Sequence, residues 1–330
     1  MKKYMYGGEK NLNSTEDCEH EIAKDYIYYP VLSRLSSMVT SDWKMRKEKP
    51  ILMSDVITEA IEEKSTAFGT VFLRCEIEEI EFVRMNPDIM PEGAWDASAD
   101  KSKSVWVWAV RKNEGLSLRI GSKDGVYANQ NCNTLFCGYS RLKRIQFHNL
   151  FDTCKVTDMF GMFKDCEKLE NINMSNFDTG HVTDMSLMFY KCRKIKEIDV
   201  NNFVTENVEN MAAMFCSCEN LEKLNISRFD TGKVRNMISM FGNCENLREL
   251  DVSNFDTSCV TSMECMFAGD VLLSELDIKN FDIGMVKNMS GMFWDCVNLK
   301  KLDISNWHFK ENIKIDDMFK NSGLENVYRI

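Results

Sequence analysis

The sequence predicts an α/β repeat solenoid of about eight 26-residue rungs, each a short strand plus a helical turn, with a β-rich N-terminal cap and a small helical lead. Two observations predict it. The dipeptide Met-Phe recurs at Met162, Met188, Met214, Met240, Met266, Met292 and Met318, with the same interval at every step, and a fixed period of this size marks stacked structural repeats. Within each unit, one half alternates apolar and polar residues while the other spaces its apolar residues three or four apart. Those are the periods of a strand and of a helix.

The chain divides into three segments: a helical lead over 1–67, a β-rich capping segment over 68–130 and the repeat array over 131–330. In the lead, Pro30 suits the first turn of a helix, with Val31, Leu35, Met38 and Val39 on one face. Ser54 caps a second helix through Ile57, Ala60 and Ile61. In the capping segment, Phe72, Cys75, Ile77, Ile80 and Phe82 echo the repeat pattern and predict a degenerate rung. Val105 to Val110 alternates, as do Leu116, Leu118 and Ile120, and Asp124-Gly125 reads as a hairpin turn. Such a meander would close the open end of the array.

Counting each Met of Met-Phe as position zero, Cys recurs at four (Cys166, Cys192, Cys218, Cys244, Cys296), with Asp270 and Ser322 in its place in two units. Leu or Ile stands at seven and ten, and Val, Ile or Met at twelve, as in Leu247, Leu250 and Val252. An aromatic stands at fifteen, Val at twenty and Met at twenty-three, with Thr183 and Thr261 at twenty-one placed to cap a following helix. An eighth unit upstream contains Leu135, Phe136, Leu142, Ile145 and Phe147, with one extra residue before Phe151. One rung cannot bury its own apolar edge, but rungs stacked at about 4.8 Å share a continuous core. The Cys and Met columns are therefore read as core.

The unit MFGNCENLRELDVSNFDTSCVTSM, from Met240 to Met263, resembles the 26-residue repeat of BspA-type leucine-rich-repeat bacterial surface proteins, and the resemblance runs from about residue 131 to the end. Phe68-Gly69-Thr70, Ala94-Trp95-Asp96-Ala97-Ser98 and Ile120-Gly121-Ser122 resemble the lead-in to such repeats. The resemblance implies a leucine-rich-repeat-like fold, partner binding or adhesion as the role, and display at the cell surface.

Composition excludes other classes. A net charge of −10, from 41 Lys and Arg against 51 Asp and Glu, argues against nucleic acid as a partner. No uncharged run approaches the length of a membrane span. The amino terminus shows no apolar signal stretch, and 13 cysteines then suggest free thiols in a reducing compartment, so a cytoplasmic location is expected. Cys216 and Cys218 have the wrong spacing for zinc, and the four histidines are scattered, so no metal, cofactor or catalytic residue is expected. What remains is the exposed strand face, where Glu197, Asp199, Glu249, Asp251, Glu275, Asp277 and Asp303 outnumber the basic residues. That acidic row predicts a non-catalytic scaffold binding a basic protein partner, with the oligomeric state left open. The alternatives are an adhesin-like surface protein and an enzyme with its site in residues 1–130.

Overall fold

The computed structural model describes residues 74–100, 102–112 and 115–324, all within the compact unit Lys47–Ile330. The helices expected over 1–67, and Phe72 of the expected capping rung, lie outside the described residues.

The described chain begins with a 3-10 turn, Arg74–Glu76, that leads into β1 (Ile77–Arg84). After β2 (Trp95–Asp96), β3 (Val105–Lys112) and β4 (Gly115–Ser122) form an antiparallel hairpin, and β4 returns parallel to β1. On its other edge β1 pairs parallel with β6 (Arg144–Gln146) of the first repeat unit, and β6 with β8 (Asn171–Ile172) of the second. The result is one mixed six-stranded sheet in the order β2-β3-β4-β1-β6-β8. Alternation places Ile80 and Phe82 inward, where the Phe82 ring lies 5.3 Å from Phe147 and 5.1 Å from Phe151. Asp124-Gly125 is not a hairpin turn, because the following β5 (Val126–Tyr127) pairs parallel with β7 (Phe151–Asp152). Gly125 adopts φ +99°, and a Cβ there would sit 3.0 Å from the Leu150 carbonyl oxygen. The close approach of two backbones explains that glycine better than chain reversal does.

The expected α/β class is overturned in the repeats. Among the described residues there is no α-helix, only strands, bridges and turns around the single 3-10 turn. The strand half forms as short pieces such as β9 (Glu197–Ile198) and β10 (Lys223–Leu224), paired parallel with Lys223 opposite Glu197. The half read as helical is a ribbon of turns. In one unit the N–H groups of Met185, Leu187, Phe189 and Lys191 donate to the carbonyls of Asn210, Ala212, Met214 and Cys216, each one position short of a full period ahead. The alternate N–H groups, of Met188, Tyr190 and Cys192, close tight turns onto Met185, Leu187 and Phe189. To aim every second N–H along the stack, the chain adopts positive φ twice per unit, at Leu187 (58°) and Lys191 (59°), at Ala213 (52°) and Ser217 (60°), at Ser239 (51°) and Asn243 (59°). Left-handed backbone costs a non-glycine residue roughly 1–2 kcal/mol. Four inter-unit hydrogen bonds, each with a net value of about 0.5–1.5 kcal/mol, offset it. A helix would have turned those donors inward on itself.

Parallel bridges carry the stacking through the array, from Asn131 to Asp158, Asp184, Asn210, Asn236, Ser262, Asn288 and Lys314. Thr183 and Thr261 cap no helix; their hydroxyls donate to the carbonyls of Thr157 and Arg235 in the preceding unit. Inside, Phe136, Phe163, Phe189, Phe215, Phe241, Phe267, Phe293 and Phe319 form one column of rings with centroids 5.4 to 5.9 Å apart. The cysteine column lies buried beside it, each thiol donating to a phenylalanine carbonyl of the preceding unit, Cys192 to Phe163 at 3.2 Å and Cys296 to Phe267 at 3.0 Å. A buried threonine column adds a reciprocal pair per step. Thr205 accepts from the Asp230 N–H and donates to the Asp230 carbonyl, both at 2.8 Å, and Thr179, Thr231 and Thr257 do likewise with the next unit.

Asp270 breaks the cysteine column. It is fully buried, accepts one hydrogen bond from the Cys244 N–H at 2.8 Å, and leaves Oδ2 without a hydrogen-bond partner among the described residues. Burial pushes its carboxyl well above the ordinary range, so ionising it opposes folding.

Phe241→Ala should destabilise by about 3–5 kcal/mol in denaturant unfolding, since the column cannot close over a missing ring. Asp270→Cys should raise the unfolding midpoint at pH 7. Because the folded-state pKa of Asp270 is raised, its penalty is absent below the unfolded-state pKa and grows as pH rises toward the folded one, so the difference between variant and parent should shrink on acidification toward about pH 4.

Candidate functional site

The strand face runs the length of the array, because alternation puts Ile198, Leu250 and Leu276 inward and the residues beside them outward. All seven acidic residues expected on this face are exposed. They form two columns. Glu197, Glu249 and Glu275 stand in one, interrupted by Lys223 and Lys301; Asp199, Asp251, Asp277 and Asp303 stand in the other, interrupted by Asn225.

The aspartate column has a structural task as well. Asp199, Asp251, Asp277 and Asp303 each accept the backbone N–H of the residue two positions on, at 3.0 to 3.3 Å, which closes the turn after the strand. The hydroxyls of Ser253 and Ser305 beside Asp251 and Asp303 hold those carboxyls below their ordinary range. Both are therefore ionised at neutral pH.

Opposite charges divide the face. Glu275 pairs with Lys301 at 2.9 Å, and Lys196 of the neighbouring column with Glu222 at 3.0 Å. Glu249 and Asp251 form no ion pair among the described residues, and Asp277 meets Lys279 only at 4.0 Å. The uncompensated charge thus collects in the carboxyl-terminal half, over Glu249, Asp251 and Asp303, with the loosely paired Asp277 between them. Like charges one strand spacing apart, about 4.8 Å, repel by roughly 1 kcal/mol in water and by several-fold more in a drier interface.

At the other end a cluster escaped the sequence reading. Glu78 and Glu79 of β1 are buried beneath basic side chains at the junction with the first repeat unit. Glu78 accepts from Arg141 at 2.6 Å and Lys143 at 3.0 Å; Glu79 accepts from Arg144 at 2.7 Å and from Lys112. Glu81 pairs with Arg119 at 2.9 Å. The hydrogen bond from Lys143 leads in holding Glu78 below the ordinary range. Burial pushes Glu79 up, but Arg144 and Lys112 together pull it below. Two consecutive glutamates within an alternating strand were the available signal, since one of the pair must fall near the inward side.

Among the described residues no group of three or more His, Cys, Asp or Glu is placed to hold a metal ion, and no helix is long and apolar enough to cross a membrane. Every described cysteine is free. Burial pushes the thiols of Cys166, Cys192, Cys244 and Cys296 well above their ordinary range, which suits packing rather than chemistry.

A parallel stack of 26-residue units with an ion-paired cap defines a repeat protein. Residues 130–224 and 216–327 each match the family described as Mycoplasma protein of unknown function, DUF285, and the chain belongs to that family. No curated protein and no solved structure matches the chain.

Removing the junction should loosen the cap first. Glu79→Ala should cost about 1.5–3 kcal/mol, the range for hydrogen bonds to charged groups, read as early exchange of β1 and β6 amides. The depressed pKa values of Glu78 and Glu79 mean that their contribution is present above the unfolded-state carboxylate pKa and lost as pH falls through the folded-state values. Cap opening in the parent should therefore appear below about pH 4 and be nearly pH-independent in Glu78→Gln/Glu79→Gln.

Proposed function

We propose that the chain is a non-catalytic recognition scaffold that holds a basic protein partner on its strand face. The observation that carries this reading is the exposed acidic run over Glu249, Asp251, Asp277 and Asp303, in which, among the described residues, only Asp277 has a basic partner, Lys279 at 4.0 Å. These carboxylates sit on successive rungs, within one Debye length of about 8–10 Å of their neighbours. They act on a partner together, steering a cationic segment toward the face. Support also comes from the rigidity of the array: a face whose backbone is tied at every rung presents its charges without an ordering cost on binding. A cytoplasmic, reducing location, which suits the free cysteines of the array, is part of this proposal.

A second reading rests on the repeat itself. The similarity of Met240–Met263 to the BspA-type unit supports kinship with surface proteins of that type, and an adhesin-like role in which the same face meets a partner outside the cell.

The test uses a lysine-rich peptide as probe. The parent should bind it, with affinity falling as salt is raised. Glu249→Lys combined with Asp251→Asn, Asp277→Asn and Asp303→Asn, whose amide oxygens can still accept the turn N–H, should abolish that binding and its salt dependence, with unfolding unchanged to within about 1 kcal/mol, the ordinary scale of exposed-charge effects. Reversing Glu206, Glu209, Glu245 and Glu311, which are exposed elsewhere, should leave most of it. Equal loss in both variants would reduce the effect to net charge and overturn the assignment of the face.

A further inference from the structure

The cysteine column is a ladder of donors. Cys192 donates to the Phe163 carbonyl and Cys218 to Phe189 at 3.2 Å, Cys244 to Phe215 at 3.3 Å and Cys296 to Phe267 at 3.0 Å, always twenty-nine residues back. Each of those carbonyls also accepts a backbone N–H of its own unit, as Phe215 does from Cys218 at 3.1 Å and Phe267 from Asp270 at 3.2 Å. One step of the ladder differs. Twenty-nine residues before Asp270 stands Phe241, whose carbonyl accepts the Cys244 N–H at 3.1 Å and, among the described residues, no other donor. The Asp270 Oδ2, itself without a hydrogen-bond partner there, and a carbonyl short of one donor therefore hold the two positions that a thiol hydrogen bond joins in the units of Cys192, Cys218, Cys244 and Cys296.

An ionised carboxylate only accepts hydrogen bonds and has nothing to offer a carbonyl, whereas a protonated one carries a single O–H donor. The Cys244 N–H already serves Oδ1 at 2.8 Å, which leaves Oδ2 as the place for the proton. The side chain is fully buried, and a carboxylate there would be a charge without compensation, a costly arrangement in a protein interior. The titratable groups that face it are thiols: Cys244 in the unit before, Cys296 in the unit after and Cys216 two units back. Burial keeps all three protonated, so none supplies a countercharge. Burial likewise raises the carboxyl of Asp270, against the lowering effect of the Cys244 N–H alone.

We propose that Asp270 holds its proton at neutral pH and donates it to the Phe241 carbonyl, and that this one acid makes the contact between the units of Met240 and Met266 a pH-sensitive joint. Stacked repeats are held by nearest-neighbour interfaces, so a link that only a proton closes is where the stack parts first. In the parted state the carboxyl is solvated and ionises near its ordinary pKa of about 3.9. The opening equilibrium therefore grows about tenfold per pH unit above that value, until the closed state loses its proton as well. On the strand face the joint separates Glu249 and Asp251 from Glu275 and Asp277, so rising pH splits the acidic run. The inference stands on the donor ladder and is independent of what that run binds.

Asp270→Asn supplies the comparison, because its amide can donate to the same carbonyl and accept the Cys244 N–H without a titrating proton. The infrared difference between parent and variant at pH 7 should contain the C=O stretch of one protonated carboxylic acid. In the parent, the amides of Phe267, Phe293 and Cys296 should be less protected from hydrogen exchange than those of Phe189 and Phe215, and should lose protection about tenfold per pH unit between pH 6 and 8, once rates are corrected for intrinsic exchange. The variant should show neither the step at the joint nor its pH dependence. A carboxylate band in place of the acid band at pH 7, protection in the parent that does not change with pH, or a pH-dependent step that survives in the variant each overturns the proposal. Should Asp270→Asn fail to fold, Asp270→Cys, which restores the column, takes its place with the same expected results.

Discussion

Every other feature of the array depends on one hydrogen bond repeated along it, the bond from an N–H to a carbonyl of the next unit, one position short of a full period ahead. Four such bonds per unit, as from Met185, Leu187, Phe189 and Lys191, leave the chain no freedom of register. They explain why leucine, alanine and lysine tolerate left-handed backbone at Leu187, Ala213 and Lys191, where an isolated turn would select glycine. They also bring like side chains into contact, so that phenylalanine lies on phenylalanine and threonine bonds the backbone of the next unit. The columns result from the register, and the register is in turn held by their packing.

The two ends of this stack are managed by opposite electrostatics. At the amino-terminal end, buried glutamates of β1 lie under arginines and lysines of the hairpin and the first unit, and each charge has its counterpart. Toward the carboxyl-terminal half, acidic groups stand exposed on successive rungs with few partners. Charges at the junction hold the cap in place; on the far rungs the aspartates close their own turns with one oxygen and still face solvent, so their charge is open to a partner. Asp270 belongs to neither group. It is a carboxyl in a place built for a thiol, and its raised titration runs opposite in sense to the lowered ones of Glu78 and Glu79.

The period, the buried columns of Phe, Cys, Met and Leu, and the alternation of the strand half were legible because each is a matter of which residues face inward. The turn half was not. Met185, Met188, Phe189 and Cys192 recur three or four apart, as on a helix, yet the same spacing arises when tight turns bring every third or fourth residue inward. Side-chain spacing is blind to the peptide flips at Leu187 and Lys191 that separate the two, because left-handed residues other than glycine leave no mark in sequence. The threonine column is hidden for a related reason: Thr205 and Thr231 look like turn formers until the next unit's backbone is beside them. On the strand face, the acidic residues were legible but their pairing was not, since Glu275 and Lys301 are far apart in the chain and meet only through stacking.

The first unit is one residue longer than the rest, and its bonds show it: Phe136 donates to Met162, a full period ahead, where Phe163 donates to Met188, one position short of it. That spare residue sits beside the cap, where the chain has a non-repeating neighbour to absorb it. Between two identical neighbours, an insertion or deletion of one residue would displace every column beyond it, from the phenylalanines to the aspartates. Only whole units can be gained or lost without that penalty. The length of such a chain is therefore quantised, and lineages that lengthen or shorten it should differ by whole periods while the cap and its junction stay as they are.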